Sequence, residues 1–400
     1  MKAETTKSDY LIIGAGIIGI AIARKLKEKF PSKKIIVIDK EKDVAFHGSG
    51  RNSGVLHAGF YYTKDSLKAR FTREGNKELT KYCEENNLKI NKCGKVVVAL
   101  NEEELETLHE LERRGKANNV ELRLIDEKEL ESFEPNAVTY KKALWSPNTA
   151  TIDPVEVSRA IKNELVSCGV DFFFGMPYKK RKNENMVIAE DKIFSFKKMI
   201  NASGLYADKI AKDFGFSKNY TIIPFKGVYL EYTGKDKPIR TNIYPVPNLK
   251  NPFLGVHYTI KADGTIKIGP TAIPALWREN YNSLNGFRAG EMFQIISWES
   301  VLFFANSFNF RDLAFEEAKK FNKKYLAKLA GKMVKQIDEN MFNKWSIPGI
   351  RAQLLNTKTK ELIQDFVVES DGLSTHILNA VSPAFTCSLP FAEWVVQHYL

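Results

Sequence analysis

Gly14, Gly16 and Gly19 stand in the run Gly14-Ala15-Gly16-Ile17-Ile18-Gly19, and Asp39 follows about twenty residues later. Glycines at this spacing do phosphate chemistry. The first permits a tight turn, the second lets the backbone approach a diphosphate, and the third lets a helix lie close to a strand. Free N–H groups and a partial positive charge at the helix start then face the phosphates. An acid at the distance of Asp39 accepts hydrogen bonds from ribose hydroxyls. These residues work only if a strand, a turn, a helix and a second strand hold them. The apolar run Tyr10-Leu11-Ile12-Ile13 reads as the first strand, Ile20 to Phe30 as the helix, and Lys34 to Ile38 as the second strand. A glycine triplet alone is a weak signal; in this context it specifies a dinucleotide cradle that includes Ala15, Ile17 and Ile18.

The rest of the chain limits what surrounds that cradle. Its 400 residues exceed one ordinary core and imply two domains. The net charge of +12 comes from scattered lysines rather than a basic tail. No zinc-finger spacing or RNA-binding signature accompanies it, so no nucleic-acid partner is expected. Cys83, Cys93, Cys168 and Cys387 form neither a Cys-x-x-Cys pair nor a metal-ligand pattern, which predicts reduced thiols and no metal. The first residues do not read as a signal or transit peptide, and no apolar run reads as a membrane span; a cytoplasmic location is the expectation.

Helices are predicted over Ser66 to Asn86, Glu102 to Asn118, Asp126 to Phe133 and from Asp153-Pro154 to Cys168, with a last one near Leu389 to Tyr399. Strand-like runs at Val228 to Tyr232, Leu254 to Thr259 and Thr265 to Ile268 predict an antiparallel sheet. Gly286 to Lys344 reads as helical and rich in phenylalanine. The expected division is a discontinuous nucleotide-binding domain over 1–80, 151–215 and 345–400. A second domain is expected over 81–150 and 216–344.

Further loops rich in small residues distinguish the dinucleotide. They are Gly48 to Gly54, Asn201-Ala202-Ser203-Gly204 through Asp208, Pro348-Gly349-Ile350-Arg351, and Val381-Ser382-Pro383-Ala384-Phe385-Thr386. Each offers small side chains where a backbone could approach a large flat ligand. Their number favours FAD over a nicotinamide cofactor. The cofactor candidates are therefore the glycine run, Asp39, Lys40, Gly50, Arg51, Asn52, Ser53, Gly54, Val55, Ala202, Ser203, Gly204, Asp208, Gly349, Arg351, Pro383, Ala384, Phe385 and Thr386.

Several segments carry a more specific resemblance. They include Asn52-Ser53-Gly54-Val55-Leu56-His57-Ala58-Gly59, Tyr61-Tyr62, Ser66-Leu67-Lys68-Ala69, Cys93-Gly94-Lys95 and Ile243-Tyr244-Pro245-Val246-Pro247. Others are Pro252-Phe253-Leu254-Gly255-Val256-His257, Gly269-Pro270, Gly349-Ile350-Arg351-Ala352-Gln353 and Ser382-Pro383-Ala384. Over nearly its whole length the chain resembles the L-2-hydroxyglutarate oxidase/dehydrogenase family, within the D-amino-acid-oxidase-like (DAO) FAD oxidoreductases. The resemblance implies an α/β fold: a discontinuous, Rossmann-like FAD-binding domain of the GR2 type and a second α+β substrate domain on a mainly antiparallel sheet. It implies oxidation of L-2-hydroxyglutarate to 2-oxoglutarate, with electrons passing to a quinone or to oxygen. Such enzymes are often membrane-associated in bacteria, which implies a peripheral place on the inner face of the membrane.

Oxidising a 2-hydroxy acid removes a hydride from carbon and a proton from the hydroxyl. A histidine suits the proton, since its ordinary pKa lies near neutrality. His57 follows the glycine-rich loop and His257 is read as ending a strand of the second domain; one is expected to be the base and the other to orient the hydroxyl. Carboxylates of a dicarboxylic substrate call for arginine or lysine. Arg351 and Arg278 lead, followed by Lys226, with Lys68 and Arg70 weaker; Tyr61, Tyr62, Tyr229 and Tyr258 could add hydroxyls.

The chain departs from the family pattern at Lys226, Val228, Thr271 and Trp277, where the family usually has an arginine, an acid, an asparagine and a lysine. Phe385 replaces a small residue. A related acid with a bulkier or less charged tail therefore stays open. So do an FAD amine oxidase of an N-methyl or D-amino acid and a non-catalytic flavoprotein. Phe287 to Phe321, flanked by lysines, suggests contact with an anionic membrane surface.

Overall fold

A computed structural model describes residues 5–249 and 255–400. The chain forms two compact units, one of Met1–Asn52, Pro154–Pro224 and Arg351–Leu400, the other of Ser53–Asp153 and Phe225–Ile350.

The first unit is built on a six-stranded sheet. Its spatial order is Asp171–Phe173, Ile35–Ile38, Tyr10–Ile13, Lys198–Asn201, Ser374–Asn379 and Val367–Ser370. The first five run parallel and the last is antiparallel. Tyr10–Ile13 and Ile35–Ile38 are buried at every position, as expected of a parallel sheet covered on both faces. Helix Ile17–Lys29 packs against helix Ala384–Tyr399. A four-stranded sheet formed by Thr5–Lys7, Lys192–Ser195, Met186–Ala189 and Tyr178–Asn183 completes the unit.

In the second unit an eight-stranded sheet runs in the order Phe342–Trp345, Leu230–Tyr232, Ile266–Gly269, His257–Ile260, Asn242–Pro245, Lys95–Val98, Lys142–Ser146 and Arg123–Asp126. All pairs are antiparallel except Asn242–Pro245 with Lys95–Val98. Side chains alternate across it. Val96, Val98, Ile243 and Tyr258 share one core. Val97 and Tyr244 face the other way and pack with Phe60, Tyr61, Leu108 and Leu111.

Several expectations are corrected. Residues 53–80 belong to the second unit rather than the first. Strand Val55–Leu56 pairs with Ala150–Ile152, and Asn76, buried on helix Leu67–Glu85, donates 3.0 Å hydrogen bonds to the Leu56 and Asn148 carbonyls. The last helix starts at Ala384, five residues before the predicted Leu389; Pro390 reads as a breaker in sequence but is accommodated within it. Ala384, Phe385 and Thr386 therefore lie on a first helical turn, not in a loop. Gly349 and Arg351 lie in strand Gly349–Asn356, also not in a loop. His257 opens strand His257–Ile260 instead of ending one, because its first ladder partner is Gly269; Leu254, the predicted start, lies outside the described residues. The phenylalanine-rich region is three helices, Ala289–Ala305, Phe310–Lys319 and Lys323–Gly331, and its end is strand Phe342–Trp345.

Candidate functional site

The glycine run forms the turn its spacing predicts. Gly14 has φ +111°, and a Cβ there would lie 2.5 Å from the Ala202 carbonyl oxygen. A Cβ on Gly19 would lie 1.9 Å from the Gly14 carbonyl oxygen. Gly16 is the N-cap of helix Ile17–Lys29 and, being glycine, offers no side chain of its own to the first turn, which holds no acid. Burial of Ile17 and Ile18 fixes the helix beneath the turn. Ser49 Oγ accepts a 2.9 Å hydrogen bond from Ile17 N, a partner that spacing along the chain does not single out.

Asp39 holds the turn together. Its Oδ2 accepts from Ala15 N at 2.7 Å and its Oδ1 from Glu41 N at 2.8 Å. Lys40 pairs with Glu41 and sits 2.8 Å from His47 Nε2. In the loop that follows, Arg51 donates to the Phe46 carbonyl at 2.8 Å, and Asn52 to those of Gly48 and Ser49. A Cβ on Gly50 would lie 2.1 Å from the Ala45 carbonyl oxygen. Gly54 takes φ +76°, and Val55 N approaches Ser53 Oγ at 3.4 Å. Ala202 N donates to the Ile13 carbonyl, and Ser203 Oγ to Asn201 Oδ1 at 2.6 Å. Gly204 has φ +55°. Asp208 is fully buried and accepts from Ile222 N at 3.1 Å, so it serves the interior of the unit. Pro383 is the N-cap of the last helix.

Within the second unit, His57, Lys95, Tyr61, Tyr244 and His257 form a buried cluster. His57 follows strand Val55–Leu56. Burial holds its imidazole well below the usual 6.5, and the charge of Lys95 and the nearness of His257 push it the same way. His257 Nδ1 lies 2.8 Å from the Gly255 carbonyl. A carbonyl only accepts, so Nδ1 carries the proton and Nε2 keeps its lone pair. The ring stacks on Tyr244 with centroids 3.8 Å apart. Burial pushes His257 down to about 3; the bond to Gly255 opposes this, and the charges of Lys95 and Lys267 add to it. Both histidines are thus neutral at ordinary pH.

Lys95 has no role predicted from sequence. Its Nζ lies 4.6 Å from the Phe60 ring, 4.7 Å from Tyr61 and 4.8 Å from Tyr244. Strand alternation puts Lys95 on the face of Val97, and both faces of this strand are buried, which the sequence does not show.

The other substrate candidates each have surroundings of their own. Tyr61 Oη is buried and makes no hydrogen bond among the described residues. Tyr62 lies under Lys68 Nζ, 5.9 Å from its ring. Arg278 is buried, its backbone N donating to Glu291 Oε2 at 3.1 Å. Half-buried Lys226 donates to Asn280 Oδ1 at 3.2 Å, and burial lowers its pKa. Arg70 is exposed beside Glu74. Arg351 is part-buried in its strand in the first unit. Thr271 Oγ1 accepts from Val228 N and donates to the Lys226 carbonyl, which ties three of the departing positions together locally. Trp277 is buried and donates to the Asn285 carbonyl at 3.2 Å.

Residues 9–397 match the model of a family described as FAD dependent oxidoreductase, DAO. The chain is 34% identical over 399 residues to an L-2-hydroxyglutarate dehydrogenase of Indibacter alkaliphilus, covering 97% of this chain and 99% of that protein. It is also 34% identical to the mitochondrial L-2-hydroxyglutarate dehydrogenase of Nematostella vectensis, covering 97% and 90%. Among solved structures, the L-alpha-glycerophosphate oxidase of Mycoplasma pneumoniae with FAD bound shares the fold. Its TM-score is 0.77 at 22% identity, over 98% of this chain and 94% of that one.

Proposed function

This chain belongs to the L-2-hydroxyglutarate dehydrogenase family of DAO-type FAD-dependent oxidoreductases, and we propose on that basis that it oxidises L-2-hydroxyglutarate to 2-oxoglutarate. FAD is its cofactor, and the first unit has the features that would receive the adenosine diphosphate part. A side chain at Gly14 would fill the turn, and the first turn of helix Ile17–Lys29 carries no acid to repel phosphate. Bound FAD would supply the acceptor for the hydride, and with it the two electrons, that leaves the substrate carbon.

The second unit supplies the proton chemistry. The observation that carries this reading is the pair of buried, neutral imidazoles, His57 and His257. A hydroxyl has one proton to give, and the two imidazoles divide the work. His257 Nε2 has its lone pair available and accepts the hydroxyl proton. His57 holds the hydroxyl oxygen, to which an N–H would donate as it becomes a carbonyl. Tyr244, stacked on His257, keeps that ring in place. Within the second unit, Arg278 and Lys226 are the proposed partners of the substrate carboxylates, with Tyr61 and Tyr62 adding hydroxyls.

A peripheral place at a membrane, with a quinone as acceptor, completes the proposal. No helix among the described residues is long and apolar enough to cross a membrane. Phe293, Phe304, Phe315 and Phe321 are 66%, 83%, 61% and 61% exposed along the helical segment 289–321, and side chains this apolar favour the boundary between lipid headgroups and acyl chains.

The test is anaerobic absorbance of the yellow protein. L-2-hydroxyglutarate should bleach the flavin. Replacing His57 or His257 with glutamine should keep the colour while slowing reduction by about 10² or more. Bleaching by an amine alone would instead support the amine-oxidase reading, and reduction at the wild-type rate in both variants would remove the histidines from the mechanism.

A further inference from the structure

The segment from Thr271 to Asn280 carries Arg278 and touches Lys226, and two buried carboxylates on helices later in the chain hold its backbone. Ala272 N donates to Glu317 Oε2 at 2.5 Å, on helix Phe310–Lys319. Arg278 N donates to Glu291 Oε2 at 3.1 Å, on helix Ala289–Ala305. Glu317 Oε1 also accepts from Lys320 Nζ at 2.5 Å, and both side chains of this pair are buried. A buried carboxylate is costly unless it is paired and hydrogen-bonded, and its bond to an N–H is stronger than that of a neutral acceptor. Ala272 is thus firmly placed, and both of its neighbours in sequence hold the backbone of Lys226. Thr271 N donates to the Val228 carbonyl at 3.1 Å. Thr271 Oγ1 accepts from Val228 N at 3.1 Å and donates to the Lys226 carbonyl at 3.2 Å. Ile273 is the ladder partner of Lys226. The Lys226 ammonium then donates to Asn280 Oδ1 at 3.2 Å, which uses one of its three donors. Asn280 is buried, with its side chain donating to the Ser283 carbonyl at 3.1 Å and its N to the Trp277 carbonyl at 3.0 Å.

We propose that Glu317 is a positioning residue for substrate recognition: by holding Ala272 it sets the backbone beside Lys226, and so the place at which the Lys226 ammonium meets a substrate carboxylate. It acts through the backbone and not by its own charge, which is buried and balanced by Lys320. The inference rests on the reading of Lys226 as a carboxylate partner. A carboxylate takes no part in the bond changes at the hydroxyl carbon, so its ion pair is worth the same before and during hydride loss. Displacing Lys226 therefore weakens binding and leaves the chemical step at its own rate.

The experiment follows anaerobic flavin reduction by L-2-hydroxyglutarate in the full-length, FAD-loaded protein and reads a half-saturating concentration and a limiting rate. Lys226→Met should raise the half-saturating concentration by about tenfold or more, as expected for loss of a charged hydrogen bond. Two double variants remove the buried ion pair alike and differ in the acceptor they offer Ala272. Glu317→Gln with Lys320→Met keeps an Oε1 for Ala272 N and should stay within about twofold of wild type. Glu317→Leu with Lys320→Met offers none and should raise the half-saturating concentration by about tenfold, with the limiting rate within about twofold. Adding Lys226→Met to this Leu–Met variant should raise it no further than Lys226→Met alone, since changes that act through one side chain are not additive. Apolar side chains often replace a buried ion pair without loss of stability. Should the Leu–Met variant fail to fold, Glu317→Asp takes its place: it keeps the charge beside Lys320, draws it back from Ala272 by one methylene, and should give a rise of about threefold that the Lys226→Met background abolishes. No rise in whichever of these folds, or a rise that multiplies with that of Lys226→Met, would overturn the proposal. Lys226→Met at the wild-type half-saturating concentration would overturn the reading of Lys226 as a carboxylate partner, and the proposal with it.

Discussion

Replacing Lys95 with methionine should stabilise the apoprotein in acid by much more than in base. The lysine is pushed from 10.5 to about 7 by burial. A gap of about 3.5 pH units corresponds to about 5 kcal/mol. The sign follows from proton binding. Below pH 7 both states are protonated, and the folded state bears the full cost of the buried charge. Between 7 and 10.5 the unfolded chain holds a proton that the folded chain has released, so the cost declines as the pH rises. Above 10.5 both are neutral and it vanishes. The cost is thus about 5 kcal/mol at pH 6 and about 2 kcal/mol at pH 9. Burial of the uncharged methionine side chain contributes equally at every pH, and both histidines stay neutral at pH 6. The stability difference between variant and wild type should therefore shrink by about 3 kcal/mol from pH 6 to pH 9. Urea unfolding followed by tryptophan fluorescence measures it. Trp145, Trp277, Trp298 and Trp345 lie in the second unit and only Trp394 in the first, so the signal mainly reports the unit that holds Lys95. A difference that stays constant to within about 0.5 kcal/mol would show that Lys95 is not a costly buried cation.

Gly14→Ala forces a Cβ to within 2.5 Å of the Ala202 carbonyl oxygen at φ +111°; strain of about 1–3 kcal/mol should lower the melting temperature of the apoprotein and weaken FAD retention, both read by thermal denaturation and absorbance. Gly290→Ala, where a Cβ meets nothing within 4 Å, should be neutral or stabilising by up to about 1 kcal/mol and serves as the control. Asn76→Ala removes the donor to the Leu56 and Asn148 carbonyls and should cost about 1–3 kcal/mol in urea unfolding. Phe293→Glu with Phe304→Glu should leave stability within about 0.5 kcal/mol but abolish flotation with anionic liposomes; flotation equal to wild type would refute membrane docking by that helix.

Much of this is legible along the chain because it depends on neighbours in sequence. The glycine run sits where its spacing puts it, since a turn between a strand and a helix is a local structure and only glycine tolerates φ +111° with a carbonyl 2.5 Å from the Cβ position. The all-apolar strands Tyr10–Ile13 and Ile35–Ile38 point to a parallel sheet covered on both faces. Helices with strong N-caps, such as Ser66 accepting from Ala69 N and Asp126 with its capping box, start within a residue of their predicted positions. What depends on distant contacts is not legible. Residues 53–80 join the second unit through pairing with Ala150–Ile152, and Pro390 lies inside a helix whose buried face is held from outside. The histidines are visible as residue types, but their neutrality is not, because it comes from burial and from a lysine 38 positions from His57 and 162 from His257. Spacing along the chain determines how a backbone turns; only the folded sheet decides which charges share one dry interior, and the strength of a charge depends on the water removed from around it.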